Sequence, residues 1–128
     1  MRIYITGLGA VSAIGMSVAE HLESLLNGRH GISQIELVRE LKTPYLGGEI
    51  KQTNKQLKEK LGLDVSTHYS RTALLAMMAA KEAMPSAFPT HLKVGVINGT
   101  SVGGPADWEE YTQWQWVTIK DHATAYPF

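Results

Sequence analysis

The stretch R-I-Y-I-T-G-L-G-A-V-S-A-I-G, residues 2–15, decides how this chain folds. Residues 3–5 are β-branched or aromatic and run without alternation into a glycine turn, which predicts a short strand buried on both faces. Gly7 and Gly9 permit the turn, because glycine tolerates positive φ and lets another segment approach closely. A helix signal follows directly, so the stretch predicts the opening of an α/β unit.

A dinucleotide-binding turn is the alternative interpretation of this stretch. The fingerprint G-x-G-x-x-G requires a third glycine where this chain has Ser12, and the next glycine is Gly15. Glu36, in the region expected to hold a ribose-binding acid, lies inside an apolar run rather than at its end. The turn is therefore interpreted as one that packs a strand against a helix, with nucleotide binding as the minor alternative.

The same residues resemble a known family. T-G-L-G-A-V-S-A-I-G is similar to the opening of the β-ketoacyl-acyl-carrier-protein synthases, the condensing enzymes of fatty-acid and polyketide synthesis. In that family a first strand runs into T-G-x-G-x-V-(S/T)-x-x-G and then into a helix. The residues that match this pattern here are Thr6, Gly7, Gly9, Val11, Ser12 and Gly15.

A second match lies close to residue 100. Residues 92–98, L-K-V-G-V-I-N, predict a second strand that ends in G-T-S-V-G-G. The family's strand at this place ends in G-(S/T)-x-x-G-G, and the matching glycines are Gly99, Gly103 and Gly104. A phosphate loop is disfavoured because no lysine follows the last glycine. The strands at residues 2–6 and 92–98 are predicted to pair in parallel, and the resemblance covers about residues 2–104.

Three helices are predicted between these two strands. The first two are bounded by capping boxes and terminal glycines, at Ser17 with Glu20 and Gly28, and at Thr53 with Gln56 and Gly62. The apolar face of the first helix consists of Val18, Leu22, Leu25 and Leu26. The third, residues 64–84, is apolar almost all round, capped by Ser66 or Thr67 and ended by Pro85. Residues 34–41 and 45–50 are each predicted to be a short strand or a loop.

Composition restricts the classes of function. The chain has 128 residues, of which 44% are hydrophobic and 19% charged, as in one globular domain. Twelve basic and twelve acidic residues give zero net charge, so no basic surface is expected for nucleic acid or an anionic membrane. No apolar run approaches a membrane helix and the signal-peptide pattern is weak, so a cytoplasmic location is expected. The absence of cysteine excludes disulfides, thiolate metal sites and a cysteine nucleophile within this sequence.

The resemblance implies a fold and a chemistry. The family fold is the layered α/β thiolase type, and this chain would be a partial N-terminal half with a mostly parallel sheet covered by helices. In the family a cysteine at a helix N-terminus attacks an acyl thioester, and two basic residues assist decarboxylation of the malonyl partner. None of these residues can be placed on this sequence. The resemblance implies no metal and no diffusible cofactor, and its partners are acyl-carrier-protein thioesters and a second condensing-enzyme subunit in a homodimer or heterodimer.

Two main functions follow as hypotheses. The chain is an N-terminal fragment of a 3-oxoacyl-[acyl-carrier-protein] synthase, by family an acyltransferase and inactive alone, or it is a non-catalytic subunit that pairs with a condensing enzyme or carrier protein. A small nucleotide binder is the third hypothesis.

Residues 1–104 are the synthase-like region, and residues 105–128 are an aromatic tail that is either a divergent dimer-interface segment or foreign to the family. An interface or acyl-pocket role is predicted for Trp108, Tyr111 and Thr112, which share one helical face. No metal site is predicted from the five scattered histidines.

Overall fold

The computed structural model describes residues 2–38, 43–85, 91 and 93–100. Three helices and one hairpin make up the regular structure of these residues. In chain order the elements are α1 (Val18–Leu26), β1 (Ile32–Gln34), β2 (Leu46–Gly48), α2 (Asn54–Leu61) and α3 (Arg71–Ala83).

The ends of α1 and α2 lie where the sequence places them. In α2 the capping box is complete: the Thr53 N–H donates to Gln56 Oε1 at 2.8 Å, and the Gln56 N–H donates to Thr53 Oγ1 at 3.3 Å. Gly62 ends this helix in the left-handed conformation with φ of 73°. The predicted boundaries of α2 are therefore confirmed, because each signal acts within one turn of chain.

Of the two hydrogen bonds expected in the capping box at the start of α1, one forms. The Glu20 N–H donates to Ser17 Oγ at 3.2 Å, as predicted. The Glu20 carboxylate, however, accepts from the Met16 N–H at 2.6 Å instead of from the Ser17 N–H. At the other end Asn27 is the C-cap and Gly28 has φ of 64°, which confirms the predicted stop.

The third helix begins later than predicted. Its N-cap is Ser70, whose Oγ accepts from the Ala73 N–H at 3.1 Å, so the predicted caps at residues 66 and 67 are wrong. Asp64 explains the delay: its carboxylate accepts from the Ser66 N–H at 2.9 Å and from the Ser66 hydroxyl at 2.8 Å. Side chains that bond their own backbone in this way stabilise a turn in competition with a helix.

The sheet differs from the predicted one. β1 and β2 pair antiparallel, with Ile32 opposite Gly48 and Gln34 opposite Leu46. Residues 2–11 and 93–100 carry no helix or strand, which corrects the prediction of a parallel pair at 2–6 and 92–98. The reason is that a strand exists only with a partner, and no described segment of this chain pairs with either one.

The core of the described part is small. α2 packs against α3, and each contributes one leucine with no exposed surface, Leu57 and Leu74. The predicted apolar face of α1 is not buried: Leu22, Leu25 and Leu26 are exposed, and α1 buries Ser24 instead. α1 turns this small polar residue inward because the Ser24 hydroxyl donates to the carbonyl oxygen of Ile14 at 2.7 Å.

Candidate functional site

A tight turn at residues 12–15, here called the 12–15 turn, lies against both α1 and the approach to β1. The Ser12 N–H donates to the Gly15 carbonyl at 2.9 Å, and the Gly15 N–H donates back to Ser12 at 3.3 Å. A Cβ at Gly15 would lie 2.8 Å from the Glu20 Cβ, so α1 packs directly on the turn. A Cβ at Gly31 would lie 2.8 Å from a methyl carbon of Ile14, so the approach to β1 packs there too.

His21 fastens α1 to this turn. Its Nδ1 lies 2.7 Å from the Ser17 carbonyl oxygen and its Nε2 lies 2.7 Å from Ser12 Oγ. Because a carbonyl oxygen can only accept, Nδ1 carries a proton in this contact, and Nε2 shares a hydrogen bond with the Ser12 hydroxyl. The sequence did contain a signal for this contact, since Ser17, His21 and Ser24 recur at i, i+4 and i+7 on one face of α1.

A serine hydrogen-bonded to a histidine is also the arrangement of an activated nucleophile. In that arrangement a third group, usually a carboxylate, orients the histidine, whereas here the second nitrogen of His21 meets a backbone carbonyl. Ser12 Oγ also accepts from the Ile14 N–H at 3.3 Å, which occupies one of the two oxygen lone pairs. We therefore assign the pair to holding α1 in place.

The glycines of the opening stretch lie against the backbone of α3. A Cβ at Gly9 would lie 2.8 Å from the carbonyl carbon of Ala79 and 3.1 Å from the Ala83 nitrogen, and it would overlap the Ala79 oxygen. A Cβ at Gly7 would overlap the Ala83 carbonyl in the same way. Positive φ among the described glycines occurs at Gly28, Gly31 and Gly62, so close approach is what requires glycine at positions 7 and 9.

Glu82 on α3 completes this attachment. Its carboxylate accepts from the Ala10 N–H at 3.0 Å and from the Val18 N–H at 2.8 Å. The second bond places a negative charge at the N-terminus of α1, where the helix dipole favours it. Local sequence could not reveal this contact, because the bonded residues lie 72 and 64 positions apart.

Arg71 holds the loop between β2 and α2 against the start of α3. Its guanidinium donates to the carbonyl oxygens of Ile50 at 2.7 Å and Gln52 at 2.9 Å, and to Asn54 Oδ1 at 3.0 Å. A planar guanidinium suits such convergent acceptors, which fixes the entry to α2.

An open groove of about 960 Å³ lies between the hairpin and the starts of α2 and α3. Its walls are largely apolar, and the lining residues are Ile35, Glu36, Leu37, Val38, Gly48, Glu49, Ile50, Thr53, Asn54, Arg71 and Leu75. Since Arg71 and Glu49 already make several internal hydrogen bonds, the groove provides apolar contact rather than a charge for a ligand.

Glu49 is the ionisable group with the largest shift at this groove. Its carboxylate accepts from the N–H groups of Glu36 at 2.9 Å and Leu37 at 2.8 Å, and from Lys51 Nζ at 3.0 Å. Desolvation raises the pKa of Glu49, but these three bonds outweigh it and lower the pKa from 4.5 to about 2. The pKa of Lys51 lies above its usual 10.5, mainly because of the hydrogen bond to Glu49. Desolvation lowers this pKa somewhat, and the pair with Glu36 raises it further.

The lowered pKa of Glu49 should make the free energy of unfolding depend on pH in the acid range. Because its pKa is lower in the folded chain, the unfolded chain binds more protons between pH 4.5 and about pH 2. We expect the free energy of unfolding to fall as pH decreases through this window, and Glu49→Gln to remove part of that slope. Urea unfolding followed by circular dichroism at several pH values measures it.

Glu59→Gln is the control for this prediction, because the Glu59 carboxylate makes a looser 4.0 Å pair with Lys55. Asp64, whose pKa is also lowered by its bonds to Ser66, keeps its contribution in both variants. Equal acid slopes in Glu49→Gln and Glu59→Gln would contradict the assignment.

The remaining predicted site residues lie close to residue 100 or outside the described part of the chain. A Cβ at Gly99 would meet nothing within 4 Å, and residues 103, 104, 108, 111 and 112 lie outside the described part of the chain. Within that part no group of three or more His, Cys, Asp or Glu side chains is placed to hold a metal ion. The described helices include none that is long and apolar enough to cross a bilayer.

Comparison with known proteins identifies the family. The model of the beta-ketoacyl synthase N-terminal domain matches residues 1–126, so the chain belongs to this family, which confirms the resemblance. It is 32% identical over 111 residues to 3-oxoacyl-[acyl-carrier-protein] synthase 1 of Buchnera aphidicola subsp. Baizongia pistaciae, covering 81% of this chain and 27% of that protein. It is 31% identical over 115 residues to 3-oxoacyl-[acyl-carrier-protein] synthase 2 of Staphylococcus aureus MRSA252, covering 85% and 27%. The chain thus spans about a quarter of the length of these relatives. No solved structure matches it significantly.

Proposed function

We propose that this chain forms the N-terminal part of a 3-oxoacyl-[acyl-carrier-protein] synthase. Such an enzyme condenses an acyl thioester with malonyl carrier protein, with loss of carbon dioxide. The family match over residues 1–126 carries the proposal, and it is supported by relatives that bear this name over more than four-fifths of the chain. These names favour the synthase over the alternative of a non-catalytic subunit.

This chain would contribute structure to the domain rather than catalytic side chains. Acyl transfer of this type requires a thiolate nucleophile, and the sequence has no cysteine. The described residues instead provide the 12–15 turn, the glycine contacts with α3 and the carboxylate of Glu82, which together fix α1 relative to α3. The catalytic cysteine and basic pair that the family resemblance implies would belong to the part of the synthase that this sequence does not include.

Several finer features belong to the same proposal. In the complete domain the fold would be thiolase-like with a mostly parallel sheet, residues 1–104 forming the layer and residues 105–128 lying at a dimer interface or acyl pocket. The family match to residue 126 supports a tail that is native to the family. The interface role of Trp108, Tyr111 and Thr112, the dimer, the carrier-protein partner, the choice between fatty-acid and polyketide pathways, and the cytoplasmic location remain predictions.

A chimera tests the proposed function. Residues 1–126 would replace the matched region of the S. aureus synthase 2 named above, and product formation from acyl and malonyl carrier protein would be followed by mass spectrometry. We expect 3-oxoacyl carrier protein at a rate within about 100-fold of the parent, because a misplacement of about 1 Å costs roughly that factor. The isolated chain should form no product, since it lacks the nucleophile.

The control is the S. aureus synthase lacking its N-terminal region, which should be inactive by itself. A folded chimera that forms no product would contradict the proposal. So would steady product formation by the pure isolated chain.

A further inference from the structure

The two oxygens of the Glu82 carboxylate bind backbone N–H groups from two different segments. Oε1 accepts from the Val18 N–H at 2.8 Å, and Oε2 accepts from the Ala10 N–H at 3.0 Å. Each oxygen therefore meets one donor, and hydrogen bonds to an ionised acceptor are stronger than those to a neutral one. One donor belongs to the opening stretch and the other to the first residue of α1, so neither segment forms the pair alone.

Both donors need an acceptor from outside their own segment. Among the described residues, neither the Ala10 N–H nor the Val18 N–H donates to a backbone carbonyl. The first N–H groups of a helix have no partner within it, and they lie at the positive end of the helix dipole. The pair of donors thus favours an anion, whether or not that anion is attached to the chain.

Donors of this kind hold the phosphate in nucleotide-binding turns, where a glycine turn leads into the N-terminus of a helix. This chain has the same order of glycine turn and helix, but here the anion is a side chain of α3. The close approach of Gly9 to Ala79 brings the opening stretch within reach of Glu82. An internal carboxylate thus binds the donors that an external anion would otherwise bind.

The pair of donors can be reached from solvent. Glu82 is exposed, whereas Ala10 and Val18 are half-buried. If the Glu82 side chain were cut back to a methyl group, the two N–H groups would keep their positions on the opening stretch and α1 and would face the space that the carboxylate now fills. Formate and acetate have the same two-oxygen group and are small enough to enter such a space.

We propose that the Ala10 and Val18 N–H groups form a binding site for a small carboxylate, which the intact chain fills with its own Glu82. Removal of this side chain would leave a site for free formate, and a poorer one for chloride, which offers one atom instead of two oxygens. The site consists of described residues alone and involves no catalytic group, so it does not depend on the proposed synthase activity.

Urea unfolding of Glu82→Ala, in formate and in chloride at equal ionic strength, tests the site. A ligand that binds only the folded chain raises the ratio of folded to unfolded chain by the factor 1 + [L]/Kd. We expect sodium formate at about 0.5 M to raise this ratio at least roughly threefold above sodium chloride. The amide NMR signals of Ala10 and Val18 should shift with formate in the same saturable way. If Glu82→Ala is unfolded in chloride, its helical circular dichroism should return in formate.

Three further proteins serve as controls. The unmodified chain has its site filled, so it should respond alike to formate and chloride. Glu82→Gln should be less stable but equally indifferent to formate, because its amide still fills the space and offers one oxygen. Glu20→Ala tests simple attraction to the end of α1, since the Glu20 carboxylate accepts from the Met16 N–H alone among the described residues. It should therefore gain no more from formate than from chloride.

The proposal is overturned if formate and chloride act alike on Glu82→Ala, or if this variant stays unfolded in both salts. An equal gain in Glu20→Ala would also overturn it, because the helix dipole alone would then explain the binding. So would an equal gain in the unmodified chain, which would show a general effect of the salt on stability. None of these measurements depends on product formation, so their failure leaves the test of the synthase by the chimera unaffected.

Discussion

Gly9→Ala is expected to lower the free energy of unfolding by about 3 kcal/mol, the upper end of the usual cost of overpacking. The added methyl carbon would overlap the carbonyl oxygen of Ala79 and lie 2.8 Å from its carbonyl carbon. Both are backbone atoms inside α3, so they cannot move aside as a flexible side chain would. The substitution must therefore separate the opening stretch from α3 or distort the helix, and urea unfolding measures the loss.

Gly95→Ala is the control for this prediction. A Cβ at Gly95 would meet nothing within 4 Å, and its φ is not in the left-handed region. We expect a change within about 1 kcal/mol, which includes the small gain from a stiffer unfolded chain. If Gly9→Ala and Gly95→Ala unfold at the same urea concentration, the close approach of residue 9 to α3 is refuted.

The role of the opening glycines illustrates what sequence could predict. The missing third glycine at Ser12 argued against a nucleotide site and for packing, and the structure places Gly9 directly against α3. Capping residues were equally informative, as Thr53 and Gly62 show, because their bonds close within one helical turn. These signals are local, so a single sequence contains them in full.

The two wrong predictions, the N-terminal strand and the buried leucine face of α1, depend on contacts with other parts of the structure rather than on local signals. The apolar residues near the N-terminus predict a strand, but strand formation depends on a partner that the described part of this chain does not provide. The leucines of α1 predict a buried face, yet the bond between Ser24 and Ile14 turns the helix the other way. In both cases the apolar side chains that the pattern predicts to be buried are exposed in the described part of the chain.

Long-range polar contacts at the candidate site were beyond single-sequence reasoning for a related reason. Glu82 bonds Ala10 and Val18, which lie 72 and 64 positions away in the sequence, and no local pattern specifies a partner at such a distance. Arg71 is similar, since its acceptors are backbone carbonyls that every residue possesses.

Leu74→Ala is expected to lower the free energy of unfolding by about 2–5 kcal/mol, because truncation of a buried leucine removes apolar contact and leaves a cavity. Leu74 has no exposed surface, and among the described residues it shares this property with Leu57 alone. Leu26→Ala is the matched control at a position 79% exposed, where we expect a change within about 0.5 kcal/mol. Thermal and urea unfolding of the three proteins measure the difference. Equal losses in Leu74→Ala and Leu26→Ala would show that the contact between α2 and α3 is not the core of this chain.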